Sequence, residues 1–179
     1  PYAYQMVNRK QVEVACNFKL NGKILSFEFP NGYDRNQRLV IDPTLVAATY
    51  SGSTASCFGH SATYDDLGNV YAAGICFGVG FPTTMGAYQM VYGGATDMAV
   101  NKYNPDATTL LYSTYIGGSS ADYPHSMIVN GAGELCVLGS TNSSDFPLTP
   151  GAIDMTFAGS SEIAICHLNL TGSAMRGST

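Results

Sequence analysis

An internal repeat limits the folds that this chain can adopt. When the sequence is shifted on itself by about 65 residues, its second half aligns with the preceding part without a gap. "TYSG" at 49–52 falls on "TYIG" at 114–117, and "GFPTTMGA" at 80–87 falls on "DFPLTPGA" at 145–152. Ungapped agreement over a whole unit is typical of repeat architectures, in which each copy is one supersecondary unit. We therefore predict two consecutive copies of one structural unit.

Each copy has the pattern of four β-strands. Runs such as "NVYAAG" and "DMAVNKYN" alternate apolar and polar residues, and helical periodicity of useful length is absent. Four antiparallel strands stacked as repeats are typical of propeller blades. We predict an all-β fold with two four-stranded propeller-type blades, at residues 44–114 and 115–179. Residues 1–43, with a hairpin at Asn21-Gly22, are predicted to be part of a β-rich N-terminal domain.

Several residues recur at matching positions in the two copies and are predicted to define the blade. They are His60 and His125, Gly74 and Gly139, Phe81-Pro82 and Phe146-Pro147, and Thr84 and Thr149. The Phe-Pro pairs are predicted to anchor the connection between the second and third strands. The threonines are predicted to cap a short helix that follows. A ligand-binding loop is the alternative interpretation, but the copies share caps, glycines and apolar anchors rather than reactive groups.

These features together resemble the SBBP-type bacterial β-propeller repeat proteins. The resemblance is carried by "PYAYQ" (1–5), "LVIDPTL" (39–45), "GNVYAAG" (68–74), "VNKYNPDAT" (100–108), "STYIGGSSAD" (113–122) and "TNSSDFPLTPGA" (141–152). It implies a β-rich N-terminal domain followed by propeller repeats, an extracellular or cell-surface location, and no established enzyme activity. The first copy departs from the pattern, since it has "CFGVGFP" where the second has "TNSSDFP".

The repeat alignment also bears on the cysteines. Cys57 falls on Asp122, and Cys76 falls on Thr141. Both members of an expected Asp–Thr hydrogen bond are therefore cysteine in the first copy. We predict a disulfide between Cys57 and Cys76, with two free buried cysteines as the alternative.

A second disulfide candidate joins Cys136 and Cys166, which fall on the adjacent second and third strands of the second copy. Cys16 is left without an assigned partner. A disulfide indicates an oxidising, extracellular compartment.

Composition and motifs limit the function. The chain has 13 acidic and 8 basic residues, which argues against nucleic-acid binding. No apolar run reaches the roughly 18 residues of a membrane span. The sequence has no nucleophile elbow, phosphate-binding loop or zinc motif. We predict no catalytic residues, no cofactor and no metal site.

The expected function is that of a non-enzymatic extracellular or cell-surface module, structural or adhesive, that mediates protein or glycan interactions. The alternative is a propeller-based glycan-active enzyme, a lyase or hydrolase, whose site lies in other repeats. Two blades cannot close a ring of roughly 4–8 blades. The expected partners are therefore further repeats of the same chain or neighbouring subunits, together with a surface protein or glycan.

Overall fold

The computed structural model of the protein describes residues 1–22, 24–42 and 48–179. The chain divides into two compact units, Pro1–Val46 and Ala47–Thr179. Every helix or strand in the described residues is a β-strand, which confirms the predicted all-β fold. In this part of the chain no helix is long and apolar enough to span a membrane. The predicted domain boundary between residues 43 and 44 lies outside the described residues.

The first unit contains a three-stranded sheet and a separate hairpin. The strands are β1 (Tyr2–Val7), β2 (Lys10–Val14), β3 (Asn17–Asn21), β4 (Ile24–Glu28) and β5 (Leu39–Asp42). The sheet has the order β2-β1-β5, and β3 pairs with β4. Gly22 follows β3 with a φ of 61°, a left-handed conformation that glycine adopts without a steric penalty. The hairpin predicted at Asn21-Gly22 is therefore present.

The second unit contains two four-stranded antiparallel sheets, as predicted for two blades. The first blade is formed by β6 (Cys57–Tyr64), β7 (Val70–Cys76), β8 (Asp97–Tyr103) and β9 (Leu110–Ile116). The second blade is formed by β10 (Asp122–Val129), β11 (Leu135–Thr141), β12 (Glu162–Leu168) and β13 (Met175–Ser178). In each blade the strands pair in chain order, so every connection joins neighbours.

A β-bulge recurs in the first hairpin of each blade. The register shifts between Gly59 and Ser61 in the first blade and between Pro124 and Ser126 in the second. His60 and His125 are therefore the extra, unpaired residues of the two bulges. This position explains their recurrence as a structural feature, because bulges re-aim the strand that carries them.

The connection between the second and third strands differs from the prediction, because it contains no helix. Ala87 N donates to Thr84 O and Ala152 N donates to Thr149 O, each at 3.1 Å. Both bonds close β-turns whose third residue is a glycine with positive φ. Such a glycine fits a type II turn and reverses the chain before a helix can start.

The two predicted capping threonines bind the outermost strand of their blade instead. Thr84 Oγ1 accepts from Ser113 N at 3.1 Å, and Thr149 Oγ1 accepts from Ser178 N at 2.9 Å. The outermost strand of a sheet has unpaired backbone groups, and a side chain or loop that covers them blunts the edge. In each copy, the threonine that follows the Phe-Pro pair therefore holds the outermost strand of the blade by a hydrogen bond.

Candidate functional site

The two blades pack face to face through a shared apolar core. Met98 and Val100 of β8 belong to the same buried cluster as Met127, Leu135 and Val137 of β10 and β11. All five side chains are at most 6% exposed. Each blade has two faces. The rear face is the side on which the first blade carries Met98 and Val100. The front face is the opposite side, on which the second blade carries Met127, Leu135 and Val137.

The contact between the two blades is called the joint below, and a polar loop closes one end of it. Residues 117–122, "GGSSAD", connect the two blades and are called the joint loop below. Ser120 O accepts from Ala95 N at 3.1 Å and from Thr96 N at 3.2 Å, and Asp122 N donates to Thr96 O at 2.7 Å. These backbone bonds tie the start of the second blade to the segment that precedes β8. The motif that carries the family resemblance is therefore a structural connector.

Two carboxylates are buried beside the joint loop. Asp97 and Asp122 are both 0% exposed. Asp97 accepts from Gly93 N at 2.8 Å, Gly94 N at 3.2 Å and Gln89 Nε2 at 2.9 Å. Burial raises the pKa of the Asp97 carboxyl, and the neighbouring Asp122 adds to this rise.

Asp122 is less completely satisfied than Asp97. Its Oδ2 accepts from Gly118 N at 2.8 Å and from Ser143 Oγ at 2.9 Å, whereas its buried Oδ1 has no hydrogen-bond partner. In the part of the chain that the structure describes, no group of three or more His, Cys, Asp or Glu side chains could hold a metal ion. The hydrogen bonds that the two carboxylates accept from backbone and side-chain donors order the loops around them.

A buried ion pair lies at the opposite end of the joint. Lys102 Nζ is 3.3 Å from Asp65 Oδ2, and each of these side chains is 6% exposed. The ammonium also lies 4.8 Å from the centre of the Tyr71 ring, within the range of a cation–π contact. The Tyr71 hydroxyl is 3.1 Å from Asp65 Oδ2 and 3.2 Å from Gly133 O, which belongs to the second blade. Burial raises the pKa of Tyr71, with a further contribution from Asp65, so the hydroxyl keeps its proton.

The ion pair predicts an acid-sensitive contribution to stability. Burial alone would raise the pKa of Asp65, but hydrogen bonds from Asn69, Tyr71 and Lys102 outweigh it and lower the pKa to about 2 from 3.8. A lowered carboxyl pKa stabilises the folded state above about pH 4, and this contribution of about 2 kcal/mol is lost as the pH falls to about 2. Asp65→Asn should therefore reduce the loss of unfolding free energy between pH 5 and pH 2 by about 2 kcal/mol, measured by urea unfolding.

The matched control for this experiment is Asp66→Asn, because Asp66 is the exposed neighbour of Asp65 and makes no contact with Lys102. It should retain the acid dependence of the wild type. An unchanged acid dependence in Asp65→Asn would show that the ion pair does not contribute as described.

Cys57 and Cys76 form a disulfide, as the repeat alignment predicts. They are register partners on β6 and β7, with their Cα atoms 4.2 Å apart. The equivalent pair in the second blade, Asp122 and Thr141, also shares a register position, but the expected direct hydrogen bond is absent. Ser143 bridges the two instead, since its hydroxyl donates to Asp122 Oδ2 and its N–H donates to Thr141 Oγ1 at 2.9 Å.

The second candidate disulfide, between Cys136 and Cys166, is not formed. Both residues are free cysteines, as is Cys16. Cys136 pairs with His167, whereas Cys166 pairs with Val137. The two cysteines therefore lie on adjacent strands but are offset by one residue. Because side chains alternate along a strand, this offset places the sulfur atoms on opposite faces of the blade.

The rear face of the second blade is open where that of the first blade is covered. Every residue of β8 is buried, whereas buried and accessible residues alternate along β12. Ile163 and Ile165 occupy the repeat positions of Met98 and Val100, and they are 75% and 41% exposed. A cavity of about 460 Å³ lies beside them, and its lining includes Phe146, Phe157 and Glu162. The repeat alignment already pairs these positions, but only the packing shows that one member of each pair is covered.

Comparison with known families agrees with the described sheets. Residues 111–147 match the family model described as "Beta-propeller repeat" (SBBP). The match covers the joint loop, β10, β11 and the start of the second Phe-Pro segment. Residues 1–44 match the model described as "Domain of unknown function (DUF7948)". No curated protein matches the chain.

Proposed function

We propose that this chain, which carries an SBBP β-propeller repeat, is a non-enzymatic structural module of an extracellular or cell-surface protein, and that it binds a protein or glycan partner. The open rear face of the second blade is the observation that carries this proposal. Its exposed isoleucines lie beside a cavity with an aromatic and acidic lining. Large apolar side chains grouped on an accessible surface mark interaction sites.

The polar side chains of the described residues support a structural role. The strongest catalytic candidate among them is Cys136, whose register partner His167 lies 3.4 Å from Glu134 through Nε2 and Oε2. An activated cysteine needs a lowered pKa, because the thiolate is the nucleophile. Burial instead raises the pKa of the Cys136 thiol. This thiol is therefore poorly suited to act as a nucleophile near neutral pH.

The disulfide supports the proposed location. Cys57 and Cys76 are bonded. Structural disulfides persist in oxidising compartments and are rare where thioredoxin and glutathione keep thiols reduced. Secretion to the cell exterior would provide the required environment.

The proposal is tested by measuring ligand binding and glycan cleavage at the rear face of the second blade. The oxidised chain is labelled and applied to a glycan array and to immobilised cell-surface proteins, and each glycan is also checked for cleavage. We expect a ligand whose binding is weakened at least tenfold by Ile165→Glu and unchanged by Met85→Glu. Met85 is the control because it is 96% exposed and lies on the connection between β7 and β8. Glycan cleavage that is lost in Glu162→Gln would contradict the non-enzymatic assignment. Binding that survives Ile165→Glu would contradict the assignment of the face.

A further inference from the structure

We infer that the rear face of the second blade binds the front face of the first blade of another copy of this chain, so that copies associate head to tail. This inference rests on the proposed function, because it names a partner for the same face. The covered joint within the chain already shows that a rear face and a front face of this repeat fit each other. The second blade buries its own front face there, with Leu135 and Val137 both 0% exposed.

The front face of the first blade is the partly open counterpart of that surface: its β6 and β7 positions are accessible, whereas Asn101 and Tyr103 of β8 on the same face are 5% and 9% exposed. Ala62, Val70 and Ala72 occupy the repeat positions of Met127, Leu135 and Val137. Ala62 is exposed and Val70 is 36% exposed, whereas their counterparts in the second blade are buried. One chain therefore presents a front face with accessible β6 and β7 positions at one end of its pair of blades and an uncovered rear face at the other.

Apolar character is retained on both open faces. Ile163 and Ile165 on the rear face would meet Ala62, Val70 and Ala72 on the front face, in the register that the covered joint uses. Contact between these side chains would remove exposed isoleucine and valine surface from water. Burial of apolar surface is the main favourable contribution to protein association.

The charges at the open faces also favour this partner. Glu162 stands at the position of Asp97, and its Oε1 accepts from Ala158 N at 2.7 Å, as Asp97 accepts from Gly93 N. The front face of the first blade carries the uncharged Cys57 disulfide where the second blade carries Asp122. A second copy would therefore cover Glu162 without burying another carboxylate next to it, and the like-charge contact of the internal joint would be avoided.

The association uses two different surfaces and is therefore heterologous. Such contacts form rings when the rotation between copies closes and filaments when it does not.

Sedimentation velocity of the full oxidised chain at increasing concentration tests the inference. We expect the mass to rise above the 18.9 kDa of one chain. Ile165→Glu blocks the rear face and Ala62→Glu blocks the front face, and each variant alone should stay monomeric. Each adds one negative charge at an accessible site, so the pair is matched. An equimolar mixture should form a one-to-one dimer, because one intact rear face and one intact front face remain. Met85→Glu should associate like the wild type.

A wild-type chain that stays monomeric at every concentration overturns the inference, and so does a mixture of the two variants that stays monomeric. Self-association that persists in either single variant also overturns it. If the chain is monomeric yet binds a glycan or surface protein through Ile165, the head-to-tail inference fails while the proposed function stands. Circular dichroism of both variants confirms that they fold.

Discussion

Gly74→Ala is expected to lower the free energy of unfolding of the blade pair by about 3 kcal/mol. Gly74 pairs with Gly59 at the bulge of the first blade. A Cβ at position 74 would lie 2.9 Å from the carbonyl carbon of Phe58 and 3.1 Å from Cα of Gly59. These are backbone atoms, so they cannot turn away as a flexible side chain could. The hairpin between β6 and β7 must open or lose its bulge to admit the methyl group.

The register partner of Gly74 provides the control. Gly59 has nothing within 4 Å of the position that its Cβ would take. Gly59→Ala should therefore change the unfolding free energy by less than about 1 kcal/mol, since it adds a methyl group to open space without a packing clash. Urea unfolding of both variants measures the difference. Equal effects of the two substitutions would show that the bulge does not approach Gly74 as closely as described.

Removal of the disulfide is expected to cost about 3 kcal/mol of unfolding free energy. Cys57 and Cys76 are 19 residues apart in sequence, so the bond closes a loop in the unfolded chain and restricts its conformational freedom. The double variant Cys57→Ala with Cys76→Ala should show this loss in denaturant unfolding. Reduction of the wild-type chain should cause a similar loss, without the packing change that alanine introduces at the fully buried Cys76.

Cys16→Ala is the control for the disulfide, because Cys16 is a free, half-buried cysteine of the first unit. It should leave the unfolding of the blade pair unchanged, and reducing agent should still destabilise this variant. If the reduced and oxidised wild-type chains unfold at the same denaturant concentration, the disulfide does not stabilise the blade pair.

The repeat alignment predicted the parts of the fold that depend on local pattern and on equal spacing. Alternation of apolar residues located the strands, and the equal spacing of recurring residues in the two copies indicated two blades of the same kind. The Cys57–Cys76 bond was predictable for the same reason, because two residues that change together between copies share a register position. The bulge histidines could be identified as structural from their recurrence, but the bulge itself is visible only in the pairing.

Other predictions failed because they depend on details that spacing does not specify. The helix after Thr84 and Thr149 is replaced by a glycine turn, since the positive φ of Gly86 and Gly151 is incompatible with helix initiation. Cys136 and Cys166 do not bond, because an offset of one residue between strands reverses the face of a side chain.

The contrast between covered and open blade faces also lay beyond sequence analysis. Met98 and Ile163 have the same repeat position and similar hydrophobicity, yet the first is 0% exposed and the second is 75% exposed. The difference arises from the neighbour against which each face packs. A pattern of residues within one repeat does not contain that information.

An NMR contact between Met98 and Gly139 would show that consecutive repeats pack rear face to front face. A Cβ on Gly139 would lie 2.5 Å from Met98 Cε, so the methionine methyl group rests on this glycine of the other blade. We expect a strong nuclear Overhauser effect between the Met98 methyl protons and the α protons of Gly139. Absence of this effect, together with a Met98 methyl signal that a soluble paramagnetic agent broadens, would contradict it.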